Sequence, residues 1–332
     1  MSGLFGSASR IVGGVPVDSP IPFQVLYKYG YDSSWGVFTK FCGGVILNEF
    51  TVVTAAQCIT SATDRGSIVA GILHLVHHGS DMQVIPVALK YAHPEFDLES
   101  FQNDIAILCL SSPLQFGQTV SSATFNANTS VPEEQAKVLA CGWGSTSEDS
   151  NSLSEELRQV DLAVHSDGYC QQVYDDQTET DLPTFFRELM LCAGDPGGGD
   201  KDTCHGDAGT DKDTCDGDAD TDKDTCDGDA DTDKDTCDGD ADTDKDTCDG
   251  DAGGPLYLQF SENQKPLIVG ITSFGHGCGR RWFPGIYTRI SSYLQWIQET
   301  SQLCHSTSTA SLGTPDAKRM LLVGLIAMIH EF

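Results

Sequence analysis

Positive charge is scarce in this sequence. Its 332 residues carry 19 Lys and Arg against 49 Asp and Glu, a formal net charge of −30. Such a negative charge repels nucleic acid and anionic membrane surfaces, so neither is expected as a partner. The imbalance is uneven, because residues 200–254 hold 22 Asp against five Lys and contain neither Glu nor Arg. About half of the net charge therefore lies in one segment, and the rest of the chain is only moderately acidic.

Long apolar runs are missing as well. Residues 1–10 contain no apolar stretch that would serve as a signal peptide. The apolar run at 320–329 has ten residues, about half of what a helix needs to cross a bilayer. With the small and polar residues before it, this run has the ingredients of a lipid-anchor signal, but His330 and Glu331 interrupt it. We expect residues 304–332 to form a Ser/Thr-rich, then apolar tail, and we disfavour a membrane anchor.

Cysteine, by contrast, is abundant. The chain has 13 Cys, which indicates an oxidising compartment, and the odd number leaves at least one without a partner in the chain. Asn128 opens an Asn-Thr-Ser sequon for N-glycosylation, which fits a surface loop of a secreted protein. We therefore expect an extracellular protein whose start is either incomplete or exported without an ordinary signal.

Short apolar runs, rich in Val, Ile and Thr and bounded by turn residues, recur along the chain. They lie at residues 51–56, 84–89, 105–110, 137–140, 267–272 and 286–290. This pattern predicts antiparallel strands in sheets that close as barrels or sandwiches. Only residues 291–302 show apolar side chains at helical spacing. The prediction is an all-β protein with one late helix.

An 11-residue repeat interrupts the pattern of strands. The letters DKDTC open five consecutive units, at residues 200, 211, 222, 233 and 244. Such polar units cannot bury a core, so we expect a long solvated excursion rather than a solenoid. Carboxylates at every second residue suit Ca²⁺, whereas the Lys in each unit and the lack of EF-hand spacing do not. Weak Ca²⁺ binding and a merely solvated acidic loop are the two hypotheses; no other cofactor and no defined metal site is expected.

Four motifs, in this order, resemble those of trypsin-like serine proteases. They are RIVGG from residue 10, TAAQC from 54, NDIAIL from 103 and GDAGGP from 250, supported by CGG from 42, GWG from 142, LCAG from 191 and PGIYT from 284. The resemblance covers about residues 11–303, after a short propeptide at 1–10. It implies two antiparallel six-stranded β-barrels with a cleft between them and a C-terminal helix. The acidic repeats, 200–254, would be inserted at the specificity-pocket loop.

The resemblance also implies a catalytic site in which two of three side chains are of the wrong type. The family's mechanism needs a hydroxyl nucleophile, an imidazole that takes its proton and a buried carboxylate. Asp104 retains the carboxylate, Gln57 stands in place of the imidazole and Ala252 in place of the hydroxyl. An amide is not basic enough to accept a proton near neutral pH, and a methyl group cannot attack. Every repeat unit has Ala at the equivalent position, so no shift of the loop supplies a serine.

Other parts of the family's machinery use groups that this chain keeps. The backbone N–H groups of Gly250 and Ala252 could form an oxyanion hole, which needs no side chain. By the resemblance, cleavage behind Arg10 would free an α-amino group at Ile11 that pairs with Asp251 and orders the substrate pocket.

The resemblance further implies a pocket for a basic side chain. Asp202 and Asp246 compete for the position at its base, and Gly275 and Gly285 match the small residues that leave it open. Ser273 matches the serine that hydrogen-bonds the catalytic carboxylate. A pocket disordered by the inserted repeat units is the alternative.

Two disulfide bonds follow from the resemblance, Cys42–Cys58 and Cys170–Cys192. Cys278 would pair with one repeat cysteine, and the sequence leaves open which: Cys204, Cys215, Cys226, Cys237 or Cys248. The resemblance assigns no partner to Cys109, Cys141 or Cys304.

These observations favour a secreted, non-catalytic serine protease homologue that binds a protein or peptide with exposed Arg or Lys. One alternative is an active trypsin-like endopeptidase that cleaves after Arg or Lys, its sequence being corrupted at the altered positions. The other is an acidic, calcium-dependent binding module built around the repeat.

Overall fold

The computed structural model describes residues 14–32, 37–59, 64–76, 79–144, 153–175, 183–194, 251–260, 264–275 and 283–310. The propeptide, the junction at residues 10–13 and the repeats up to residue 250 lie outside these ranges, as does the tail after residue 310. Within the described ranges, no helix is long and apolar enough to span a lipid bilayer.

Seven strands make up the first half of the described chain. A short β1 (Val15–Pro16) is followed by β2 (Gln24–Asp32), β3 (Val37–Asn48), β4 (Thr51–Thr54), β5 (Ser67–Ala70), β6 (Gln83–Ala92) and β7 (Ala106–Leu110). Strands β2 to β7 close a six-stranded antiparallel barrel in the order β2-β3-β4-β7-β6-β5. Its interior is filled by β-branched and aliphatic side chains such as Val45, Val53 and Ile107, all fully buried. Such residues pack well on a pleated, buried surface.

Seven more strands follow. They are β8 (Thr124–Phe125), β9 (Lys137–Gly142), β10 (Arg158–Val164), β11 (Met190–Gly194), β12 (Pro255–Leu258), β13 (Leu267–Phe274) and β14 (Gly285–Arg289). The pairs β9–β10, β10–β11, β11–β14, β14–β13, β13–β12 and β12–β9 are all antiparallel and return to their start. The short β1 pairs with β10, and β8 pairs in parallel with β13. The prediction of two six-stranded antiparallel barrels is therefore confirmed, and all six predicted strands are present.

The prediction of a single helix is wrong, because the described chain has two. Helix α1 (Asp167–Asp175) buries Cys170 and Tyr174, four residues apart on one face. The hydroxyl of Ser166 accepts a hydrogen bond from the backbone N–H of Tyr169 at 3.2 Å, which caps the first turn. A helix with only two fully buried side chains leaves too weak a periodic signal to be found in the sequence.

The C-terminal helix extends further than the pattern predicted. Residues 290–292 form a 3₁₀ turn, and α2 runs over Leu294–Ala310. A disulfide bond joins Cys109 of β7 to Cys304 of α2, so the expected start of a separate tail at residue 304 falls inside a helix bound to the first barrel.

The described cysteines form two further disulfide bonds, Cys42–Cys58 and Cys170–Cys192, the pairs that the resemblance implies. Cys141 is a buried thiol. Cys278 and the repeat cysteines lie outside the described residues.

Candidate active site

Asp104 lies where the two barrels meet. It directly precedes Ile105 and β7 of the first barrel and is fully buried. From the second barrel, the hydroxyl of Ser273 donates to Asp104 Oδ2 at 2.6 Å, and the hydroxyl of Thr288 donates to the backbone oxygen of Asp104 at 2.7 Å. Both sides of the cleft therefore hold this residue in place. Thr288 lies within a motif of the sequence, but nothing there indicated that it contacts Asp104.

Gln57 reaches the same carboxylate from a 3₁₀ turn, Ala56–Cys58, that follows β4. Its backbone N–H donates to Asp104 Oδ1 at 2.9 Å, and its side-chain Nε2 donates to Asp104 Oδ2 at 2.8 Å. Nε2 also donates to the backbone oxygen of Ser273 at 2.7 Å. A carbonyl oxygen only accepts hydrogen bonds, so the amide must turn its NH₂ group inward. Both amide hydrogens are thus engaged, and Oε1, the acceptor of the amide, takes no part in these contacts.

The electrostatics around Asp104 differ from those of a carboxylate beside an imidazole. Burial raises the pKa of Asp104, and hydrogen bonds from Ser273 and Gln57 oppose that rise. None of the ion pairs within the described residues includes Asp104. Neutral donors alone therefore stabilise the ionised carboxylate, and burial without a cation disfavours it.

Ala252 lies on a tight turn that is fixed to both barrels. Gly43 N–H of the first barrel donates to the backbone oxygen of Ala252 at 2.8 Å, and Gly253 N–H donates to Thr272 of the second barrel at 2.8 Å. Gly253 has a φ of +83°, which L side chains rarely adopt. The backbone of the turn is held firmly, but its half-buried methyl group has nothing to donate or accept.

Asp251 explains why the nearby GWG motif needs its two glycines. Its carboxylate is 1% exposed, and Gly144 N–H donates to Oδ1 at 2.7 Å. A Cβ atom on Gly142 or Gly144 would overlap the carboxylate oxygens. Arg10, Ile11 and Gly250 lie outside the described residues, so the activation junction and part of the oxyanion hole remain predictions.

The predicted pocket is described only in part. Gly285 is buried in β14, and Gly275 is exposed just after β13. Asp202 and Asp246, the two candidates for its acidic base, lie outside the described residues.

An aromatic cluster next to Gly275 was not predicted. The ring of Phe274 at the end of β13 lies 5.0 Å from that of Phe101 and 5.9 Å from that of Tyr174, between centroids. These residues come from three distant parts of the chain, so no local pattern could have linked them.

Two further predictions concern glycosylation and metal binding. Asn128 is exposed, and its side-chain oxygen accepts a hydrogen bond from Ser130 N–H at 3.0 Å in a turn. In the part of the chain that the structure describes, no three His, Cys, Asp or Glu side chains cluster as metal ligands would. The acidic repeats proposed for Ca²⁺ lie outside that part.

Two closed barrels with an Asp-centred site between them define the class of serine proteases built on a double barrel. Comparison with known sequences identifies the family: the trypsin family model matches residues 11–210 and 210–297. The chain belongs to the trypsin family.

Similar proteins carry protease names. The chain is 31% identical over 305 residues to serine protease snk of Drosophila melanogaster, covering 88% of this chain and 57% of that protein. It is 30% identical over 294 residues to trypsin-1 of Astacus astacus, covering 87% and 98%. It is 28% identical over 312 residues to an ovochymase of Halocynthia roretzi, covering 93% of this chain and 16% of that protein. The chain thus spans only part of the length of two of these relatives.

Proposed function

We propose that this protein is a non-catalytic member of the trypsin family, which binds a protein or peptide segment in the cleft between its barrels without cleaving it. The observation that carries the proposal is the position of Gln57, whose amide donates to Asp104 and to Ser273 O. A general base at this place must accept a proton, and a carboxamide does not do so near neutral pH.

Ala252 adds a second, independent loss, because a methyl group cannot form the covalent intermediate. In a hydrolase that carries the same catalytic triad on an unrelated fold, removal of the nucleophile or the base alone lowers turnover by about 10⁶, with about 10³–10⁴ remaining over water from binding and the oxyanion hole. Gln57 and Ala252 together leave no route to the ordinary mechanism.

The parts that remain support binding. The turn at Ala252 has hydrogen bonds to both barrels, and the half-buried ring of Phe274 lies next to Gly275, a residue of the expected pocket. Asp202 or Asp246 would attract a basic side chain by resemblance to the family, so the proposed ligand exposes Arg or Lys. Three disulfide bonds among the described residues support action outside the cell.

The test uses the full chain, cleaved behind Arg10, with an active trypsin as the positive control. We expect no hydrolysis of Arg or Lys ester substrates and no labelling by a fluorophosphonate probe. We also expect binding of an Arg-containing peptide by calorimetry, and weaker binding of the same peptide with norleucine in place of Arg. Stoichiometric labelling would overturn the proposal in favour of an active endopeptidase, the activity that the names of the relatives suggest.

A further inference from the structure

The few cations of the first barrel are not spread over its surface. Residues 14–136 contain only four Lys or Arg, at positions 28, 40, 65 and 90, against 11 Asp and Glu. Three of the four converge on one end of the barrel, together with two aromatic side chains. We name this surface the cation–aromatic face and define it as Tyr31, Phe38, Lys40, Arg65 and Lys90.

Strand register and ring contacts bring these residues together. Tyr31 pairs with Phe38 across β2 and β3, and their ring centroids are 5.3 Å apart. Lys40 pairs with Tyr29, and this pair lies two residues from the Tyr31–Phe38 pair on the same two strands. All four side chains therefore lie on the same side of the sheet. The guanidinium carbon of Arg65 lies 5.4 Å from the centre of the Tyr31 ring.

Buried aromatic rings support the face from below. Tyr27 and Tyr29 stack with centroids 5.1 Å apart and are buried. Lys90 Nζ lies 6.0 Å from the centre of the Tyr27 ring. Rings of this kind attract cations, and they hold the charged groups in place on an otherwise acidic barrel.

The face has a net positive charge and is open to solvent. Lys40 and Arg65 are exposed, and Tyr31, Phe38 and Lys90 are half-buried. Asp64 accepts a hydrogen bond from Gly30 N–H at 3.0 Å, and its charge acts on Lys90. Among the side chains that the structure describes here, three cations therefore stand with this one carboxylate, within a chain whose net charge is −30.

We propose that the cation–aromatic face docks an acidic segment of a partner protein. Carboxylates of that segment would face Lys40, Arg65 and Lys90, and its aromatic or apolar side chains would pack on Tyr31 and Phe38. Charge complementarity selects this partner, because a basic or neutral segment would gain nothing from the three cations. This docking does not depend on whether the cleft cleaves peptides.

The experiment measures fluorescence anisotropy of a fluorescein-labelled peptide of 12 residues, alternating Glu and Tyr, titrated with the full chain at physiological salt. The same peptide with Gln for Glu is the neutral control. We expect the Glu peptide to bind more tightly than the Gln peptide, and its affinity to fall as salt rises, because screening weakens exposed charge pairs.

Two variants with equal net charge separate the face from the overall charge. Lys40→Glu with Arg65→Glu should weaken binding of the Glu peptide roughly ten-fold or more. Lys137→Glu with Lys265→Glu, on exposed positions of the second half of the chain, should leave it within about two-fold. If the first pair lowers the melting temperature, Lys40→Gln with Arg65→Gln replaces it, with a smaller loss expected.

Several outcomes would overturn the proposal. One is equal binding by both charge-reversed variants, and another is equal binding of the Glu and Gln peptides. A third is binding of a sulfated oligosaccharide with no binding of the Glu peptide, which would assign the face to a glycan. A fourth is peptide binding only after deletion of residues 200–243, which would mean that the chain's own acidic repeats occupy the face.

Discussion

At the scale of single residues, Gln57 links the two barrels through its side-chain amide. Its amide contacts the carboxylate of Asp104 and the backbone oxygen of Ser273, and so joins the two barrels. An imidazole in this position could carry a positive charge, whereas the amide cannot. The residue type at position 57 should therefore affect how the stability of the protein depends on pH.

Replacing Gln57 by His should make stability depend on pH. Beside Asp104, an imidazolium gains a charged partner, so the pKa of the new His rises and that of Asp104 falls. A raised His pKa adds stability that is present below its unfolded value, about 6.5, and is lost as pH rises through the folded value. We expect the free energy of unfolding of Gln57→His to gain about 1 kcal/mol near pH 5 relative to pH 9, compared with the unaltered protein.

Chemical denaturation at both pH values measures this difference. Gln57→Leu is the control, since it removes both side-chain hydrogen bonds and should lower stability at each pH. If the free energy of unfolding changed equally with pH in the His variant and the unaltered protein, the expected ion pair would be contradicted.

Gly253 is a second residue whose identity the structure requires. Its φ is +83°, and a Cβ atom there would overlap Thr54 Oγ1 and lie 2.5 Å from Gly43 O. We expect Gly253→Ala to lower the free energy of unfolding by about 2–4 kcal/mol, from strain and displaced backbone. Gly117→Ala, which meets nothing within 4 Å, is the matched control and should change it little. Thermal melts compare the two, and equal melting temperatures would contradict the overlap.

At the scale of elements, α2 is attached to the first barrel by a covalent bond as well as by packing. Cys109–Cys304 spans a sequence separation of 195 residues, and Ile297 and Tyr293 of the same region are buried. A disulfide bond across so long a segment restricts the unfolded chain strongly. Helix α2 therefore contributes to the stability of the first barrel.

Replacing both cysteines, Cys109→Ser with Cys304→Ser, should lower the free energy of unfolding by about 2–5 kcal/mol. Proteolysis near residue 310 should become faster, because the helix end is released. Cys141→Ser is the control, since it removes a buried thiol and no disulfide bond. The double variant would disprove the role of the bond if it melted at the same temperature as the unaltered protein.

Local patterns predicted six of the fourteen described strands and one of the two described helices. Six strands followed from apolar runs because each belongs to a closed barrel, where β-branched residues pack well. Helix α1 was missed because Cys170 and Tyr174 are its only fully buried side chains. The pairing of Cys109 with Cys304 was also missed, since two elements so far apart in sequence meet only through the barrel.

At the scale of the whole molecule, the site needs both barrels and the loop between β11 and β12. Asp104 and Gln57 come from the first barrel, and Ser273, Thr288 and Ala252 belong with the second. In sequence, the repeats fall between β11 and the turn at Ala252, in the segment that the resemblance assigns to the pocket loop. On the proposed function, catalysis would therefore require a hydroxyl at position 252, an imidazole at position 57 and a pocket loop of ordinary length.

Combining Gln57→His and Ala252→Ser with deletion of residues 200–243 should restore hydrolysis of Arg and Lys esters after cleavage behind Arg10. We expect at least about a hundred-fold gain over the unaltered protein, because nucleophile and base act as one unit. Either substitution alone, on the same shortened chain, should give no gain. Fluorophosphonate labelling measures the restored serine, and its absence in a folded triple variant would show that the site lacks more than these parts.

The sequence by itself determined the class of fold, the family and the residue types at the candidate site. The sequence shows the apolar runs of the strands, the family motifs and the residue types at positions 57, 104 and 252. Each of these is a local feature, because it is defined by residues that are neighbours in the sequence. Only the tertiary structure decided that Gln57 donates to both Asp104 and Ser273, that Cys304 pairs with Cys109, and that Lys40, Arg65 and Lys90 gather on one face. These contacts join segments tens to hundreds of residues apart, and closure of the barrels is what brings such segments within bonding distance.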